Sequence, residues 1–223
     1  MKRSILTTFI IVSLLTVSAC NSTSKNENNN SKPTQQEKPT ETKPNDENSS
    51  EEPKNENPTS YSFEVKEKKD FEPTFHSEWN ASPDNSLKAT LEGKGEGSEE
   101  GEAVLVLNDS KTNISKLYKL KDNPNSQFTP KYIEWIDNKR IFVIIGMSYG
   151  MVTTGGDLYE LNLETNTLQL TMNLDDPKEE MMSITNNKNG TFTYKKHIYT
   201  DDNFNEGYEE EKTVTEKELV KSN

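Results

Sequence analysis

The chain has 223 residues, with 38 acidic against 26 basic side chains, a formal net charge of -12, and a hydrophobic share of only 29%. That balance is too polar for one core running through the whole chain, so a large part is expected not to fold, and the acidic excess disfavours a nucleic-acid partner, whose phosphates it would repel. One cysteine and two histidines, His76 and His197, exclude a disulfide framework and a multi-histidine metal site.

Lys2 and Arg3 give the N-terminus a positive start, and Ile5 to Val17 is then uncharged and mostly apolar. Thirteen such residues are too few to cross ~30 Å of hydrocarbon as a helix. The segment reads as the apolar region of a signal peptide. Val17-Ser18-Ala19-Cys20 follows it with an apolar-small-small-Cys pattern, and residues 1–20 as a whole resemble the signal peptides of bacterial lipoproteins. The resemblance implies diacylglyceryl transfer to the Cys20 thiol and cleavage after residue 19. Two buried acyl chains hold stably where one holds marginally. The competing reading is an ordinary secretory signal cut after Ala19.

Residues 21–60 contain no Ala, Val, Ile, Leu, Met, Phe, Trp, Tyr or Cys. Nothing in them can be buried to offset roughly 1–2 kcal/mol per residue of backbone ordering. They are expected to be a disordered polar tether, with an r.m.s. span of roughly 35 Å, that spaces a folded part from the lipid surface.

From Tyr61 the composition changes to short apolar runs separated by turn residues. Leu87 to Leu91 alternates, Ala103 to Leu107 is continuous, and Ile114 to Leu120 alternates imperfectly. Tyr132 to Trp135 and Arg140 to Ile145 flank Asp137-Asn138; Leu158 to Leu163 and Leu168 to Met172 flank Glu164-Thr165-Asn166; Met181 to Thr185 and Thr191 to Tyr199 flank Asn186 to Gly190. Strands about every ten residues with turns between them predict an all-β antiparallel meander, forming a sandwich or a partly open barrel over residues 61–200. Residues 201–223 read as an acidic C-terminal tail, with helix expected only near Thr213 to Lys221.

A weak repeat runs through this part. Glu78-Trp79 precedes Asp84-Asn85, and Glu134-Trp135 precedes Asp137-Asn138, an offset of 56 residues between the tryptophans. The two indoles are therefore expected to be buried in equivalent places, each at the start of a hairpin. Trp79 to Asp84, together with Asp157-Leu158-Tyr159 and its polar turn, resembles the blade motif of extracytoplasmic β-propellers. Two and a half such units are too few to close a wheel of four to eight blades. Signal, tether and this domain together resemble a lipoprotein family of unknown function in Gram-positive, spore-forming bacteria. The resemblance carries no catalytic motif.

Residues 92–101 are rich in glycine but also in glutamate, and lack the Gly-Lys-Ser/Thr ending of a phosphate loop. Asp201 to Gly207 superficially suggests a calcium loop, but from Asp201 position 6 is Glu206 and position 12 is Lys212, so the register fails. A weak calcium site among Asp201, Asp202, Glu209, Glu210 and Glu211 is the remaining option. No Gly-x-Ser-x-Gly elbow is present. The loop from Gly146 to Gly156 combines glycines with Met147, Tyr149 and Met151, a segment either tucked over the core or kept for a partner. The sequence thus points to a non-enzymatic binding or interaction domain without metal or cofactor. It would be lipid-anchored at Cys20 on the extracytoplasmic face of the cell membrane and contact an envelope protein or a small ligand. The alternative is an enzyme or enzyme-inhibitor domain acting on wall or secreted substrates.

Overall fold

The computed structural model describes residues 61–95, 100–150, 154–174 and 176–220; the segments read as signal peptide and tether, with Cys20, lie outside them. The expected antiparallel all-β architecture is what these residues form, divided over three sheets rather than closed into a barrel. The first sheet contains β1 (Phe63–Lys69), β2 (Asn80–Ala81), β3 (Leu87–Glu92), β4 (Val104–Asp109) and β5 (Ile114–Leu120). Its order is β1-β5-β4-β3-β2, a meander from β2 to β5 with β1 added outside β5. The second is a four-stranded meander of β6 (Phe128–Trp135), β7 (Arg140–Met147), β8 (Asp157–Asn162) and β9 (Thr167–Met172). The third is β10 (Glu179–Asn186), β11 (Thr191–Tyr199) and β12 (Gly207–Thr215), followed by a short helix, α1 (Glu216–Val220).

The second sheet is the middle layer. Successive side chains of a strand point to opposite faces. On β7, Ile141, Val143 and Ile145 enter a core shared with Leu91, Leu105 and Tyr118 of the first sheet. Phe142 and Ile144 enter a second core with Ile184, Phe192 and Val214 of the third. Burial on both faces is why Ile141 to Ile145 is an unbroken apolar run, whereas most strands of the outer sheets, β4 excepted, mix apolar and polar positions.

Two hairpins share one turn design. At the end of β4, Asp109 Oδ1 accepts the N–H groups of Lys111 (2.8 Å) and Thr112 (3.2 Å), and Asn113 adopts φ +56°. At the end of β8, Asn162 Oδ1 accepts those of Glu164 (3.0 Å) and Thr165 (3.1 Å), and Asn166 adopts φ +56°. Asx side chains mimic a backbone turn, and Asn tolerates the left-handed conformation.

The expected boundary at residue 200 does not hold. Residues 207–215, read as part of an acidic tail, form β12, and the helix is limited to 216–220. The reason is cross-strand charge: Lys195 and Lys196 of β11 stand opposite Glu211 and Glu210, and opposite charges directly across a pair favour that register. Strand β1 escaped the sequence reading for a similar reason. Its Lys-rich half looks like loop, yet Glu64 pairs with Lys119 and Glu67 with Lys116 while Phe63 joins the core.

Tyr118 ties the first two sheets together. Its ring is fully buried, meets Phe63 edge-on at 5.8 Å, and its hydroxyl donates to Asn166 Oδ1 at 2.9 Å. Burial, with a smaller effect of Glu67, pushes its phenol up to about 12. A raised folded-state value means that the protonated phenol stabilises the fold fully below the ordinary value near 10, and that this stability is lost as pH rises toward 12. Tyr61 and Tyr159, raised chiefly by burial, act in the same direction. Urea unfolding at pH 8, 10 and 12 should show the midpoint falling across the last interval. Tyr118→Phe should cost about 1 kcal/mol at pH 8 for the lost hydrogen bond and fall less steeply above pH 10. A flat profile in the unsubstituted protein would contradict this.

Candidate functional site

Three edge strands, one from each sheet, meet where the turns of the repeat come together. Glu134 of β6 is the link. Its Oε2 accepts the side-chain N–H of Asn80 on β2 at 3.2 Å, and its Oε1 accepts the backbone N–H of Asn186 on β10 at 3.1 Å. The Asn186 amide in turn donates to the carbonyls of Trp135 (2.9 Å) and Ile136 (3.1 Å). The Trp135 indole N–H donates to the Asn80 carbonyl at 2.9 Å, and the Asp84 N–H donates to Asn138 Oδ1 at 3.0 Å. One carboxylate, three asparagines and an indole thus join all three sheets by polar contacts.

These residues line a groove of about 880 Å³, bounded by Ser82, Pro83 and Asn85, by Glu134 to Asn138, by Thr185, Asn186 and Lys188, and by Glu216. A second hollow of about 400 Å³ adjoins it through Asn80 and Ala81 and is lined by Trp79, Lys131 and Tyr132. Ligand sites are concave spaces in this size range with a few convergent polar groups. Burial raises the Glu134 pKa, opposed by its two hydrogen bonds and, more weakly, by the charge of Lys188. Asp137 is the opposite case. Burial works against its charge, but the Lys139 N–H and the Arg140 guanidinium hold its carboxyl below the usual range. Arg140 also binds Glu216 at 2.6 Å, which fastens α1 beside the groove. Lys131, half-buried, is pushed down by desolvation despite the fields of Glu180 and Glu100.

The two tryptophans are not equivalent, contrary to the expectation from the repeat. Trp135 is 3% exposed and belongs to the core. Trp79 is only half-buried, with Lys88 Nζ 4.4 Å above its ring and the His76 ring 5.5 Å away. The cause is position: Trp135 ends an eight-residue strand in the middle layer, while Trp79 precedes a two-residue strand at a sheet edge.

Other sequence candidates are dispersed. Met147 packs against the first core at the end of β7, Tyr149 is 54% exposed beyond it, and Met151 lies outside the described residues. His76 bonds the Ser77 carbonyl at 2.6 Å, and His197 stacks edge-on with Tyr199 at 4.4 Å; each is occupied locally. Asp201 Oδ1 accepts the N–H groups of Asn205 and Glu206, Asp202 pairs with Lys178 at 2.6 Å, and Glu211 faces Lys195. Among the described residues no three His, Cys, Asp or Glu side chains gather in metal-binding geometry. The part of the Gly/Glu loop that is described packs on the β7 end, with the Gly101 N–H donating to the Ser148 carbonyl at 2.7 Å and Lys94 Nζ to the Gly101 carbonyl at 2.9 Å. Sequence reasoning missed Glu134, Asn80 and Asn186 as a set. The only trace was Glu134 as half of a repeated Glu-Trp pair.

Comparison with known proteins adds two findings. A family described as a domain of unknown function (DUF4652) matches residues 21–216. A crystal structure of a conserved, presumed lipoprotein from Clostridium novyi NT resembles this chain with a TM-score of 0.65 and 34% identity, covering 69% of this chain and 96% of that one. No curated protein matches the sequence.

Proposed function

The chain belongs to the DUF4652 family, and from that premise we propose that it is a lipoprotein held by Cys20 on the extracytoplasmic face of the membrane, whose β-domain binds a ligand in the groove at the junction of its three sheets without catalysing a reaction. The lipoprotein part is supported by the Val17-Ser18-Ala19-Cys20 pattern after an apolar signal and by the naming of the 34% identical Clostridium relative as a lipoprotein. The observation that carries the binding part is the groove itself, where side chains of all three sheets converge. Its lining suits holding rather than bond making. Ser82 is 2% exposed, and its hydroxyl donates to Asp84 at 2.8 Å, inside its own turn. The sheets β2–β5 and β6–β9 are further proposed to be copies of one blade-like unit, on the strength of their matching Asp109/Asn113 and Asn162/Asn166 hairpins.

The anchor is tested in cells. The unsubstituted protein should take up acyl label and partition into detergent with the membrane, since two acyl chains give stable attachment. Cys20→Ala should take up no label and be either released or left unprocessed. Unlabelled, fully soluble native protein would refute the anchor.

A further inference from the structure

The groove holds one carboxylate without an ion-pair partner among the described residues. Glu134 is half-buried, and each of its carboxylate oxygens accepts one hydrogen bond from a neutral donor, Asn80 or Asn186. A carboxylate oxygen can accept two, so both retain capacity. Among the described residues no Lys, Arg or His nitrogen lies within salt-bridge distance of it. The two other acids of the lining are matched: Asp137 and Glu216 both hold Arg140, at 2.8 and 2.6 Å. Desolvation of Glu134 without a counter-charge is the costly arrangement for a carboxylate, and the raised pKa reports it. The space beside it, about 880 Å³, is that of a small-molecule site.

We infer that the groove binds a small organic cation, with a protonated amine or guanidinium seated against the free lone pairs of Glu134 and flanked by the side-chain amides of Asn80 and Asn186. This rests on the groove being the ligand site. A charge-assisted bond to a shielded carboxylate is stronger than a neutral one, so Glu134 supplies most of the selectivity for positive charge. Lys188 sets an upper limit. It stands exposed on the β10–β11 turn at the rim, makes no contact with Glu134, and acts on it only through space. Its charge opposes an incoming cation, so it tunes affinity in the opposite direction to Glu134.

Isothermal titration of the full-length protein in non-ionic detergent tests this with four probes of similar reach: cadaverine, agmatine, 1,5-pentanediol and glutarate. Cadaverine and agmatine should bind, more weakly as salt rises, and the diol and diacid should not. Glu134→Gln, which keeps shape and can keep both hydrogen bonds by turning the amides, should weaken cation binding at least about tenfold. Lys188→Gln, on an exposed turn where folding is not at risk, should strengthen it a few-fold. Cation binding that is unchanged in both variants overturns the inference. If the diol or diacid binds instead, and Asn186→Ala abolishes that binding, the inference falls while the groove remains a ligand site. If none of the four binds, both readings fall.

Discussion

Replacing Trp135 by alanine should cost about 3–5 kcal/mol, the usual range for removing a buried indole. That is a large share of the ~5–15 kcal/mol that holds a domain together. Three consequences coincide at this side chain. The first core loses its largest ring near the junction, since Trp135 packs with Ile133, Ile141 and Leu161. The Asn80 carbonyl loses its 2.9 Å indole donor, which links β2 to β6. The backbone carbonyl of Trp135 that receives the Asn186 amide shifts with the strand. Trp79→Ala should cost roughly 1 kcal/mol or less, because the ring is half-exposed and its cation contact with Lys88 is of the surface kind, worth ~0.5–1 kcal/mol. Thermal melts of the two variants should therefore differ by about 8–16 °C in midpoint if 1 kcal/mol is worth about 4 °C, the upper end for a domain of this size. Equal shifts would restore the equivalence that the 56-residue offset suggests and contradict the burial difference.

The second large effect is expected where β7 ends and β8 begins. A Cβ added to Gly146 would stand 1.8 Å from the Gly155 carbonyl oxygen, and one added to Gly156 would stand 2.1 Å from that of Ile145. Both obstacles are backbone, so no rotamer change relieves them. Gly156 also exchanges two backbone hydrogen bonds with Met181 of β10, at 3.2 and 2.9 Å. Parting the strands there would loosen the second sheet from the third. Gly146→Ala and Gly156→Ala should each lose about 3 kcal/mol or more, at the upper end of overpacking effects. Gly190→Ala is the control: its φ is +84° but nothing lies within 4 Å of the added carbon, so only the conformational cost of about 1–2 kcal/mol applies. Denaturant titration separates the two classes, and a Gly156→Ala midpoint no lower than that of Gly190→Ala would refute the close approach.

The glycines explain part of the Gly146 to Gly156 segment, which on sequence was either core cover or partner surface. Its two ends are strand termini whose backbones must nearly touch. Met147 is drawn onto the core, while Tyr149 projects outward. No periodicity distinguishes these roles, because they depend on what the neighbouring strand brings alongside.

Turn chemistry and apolar periodicity, both local properties, determined most of the strand map. Asp109, Asn162 and Asn186 stop their strands with side-chain oxygens that accept nearby N–H groups. Ile141 to Ile145 is an apolar run of the length a buried strand has. The polar 21–60 segment and the lipobox-like cysteine are equally local signals. The tertiary structure alone decided three other matters. It made β12 from an acidic run, because the lysines of β11 stand opposite it in register. It buried one tryptophan and not the other, because only one lies in the middle layer. It assembled the groove from Asn80, Glu134 and Asn186, each 50 or more residues from the next. A carboxylate's need for a counter-charge is a property of its surroundings, and those surroundings come from three sheets that no single stretch of chain describes.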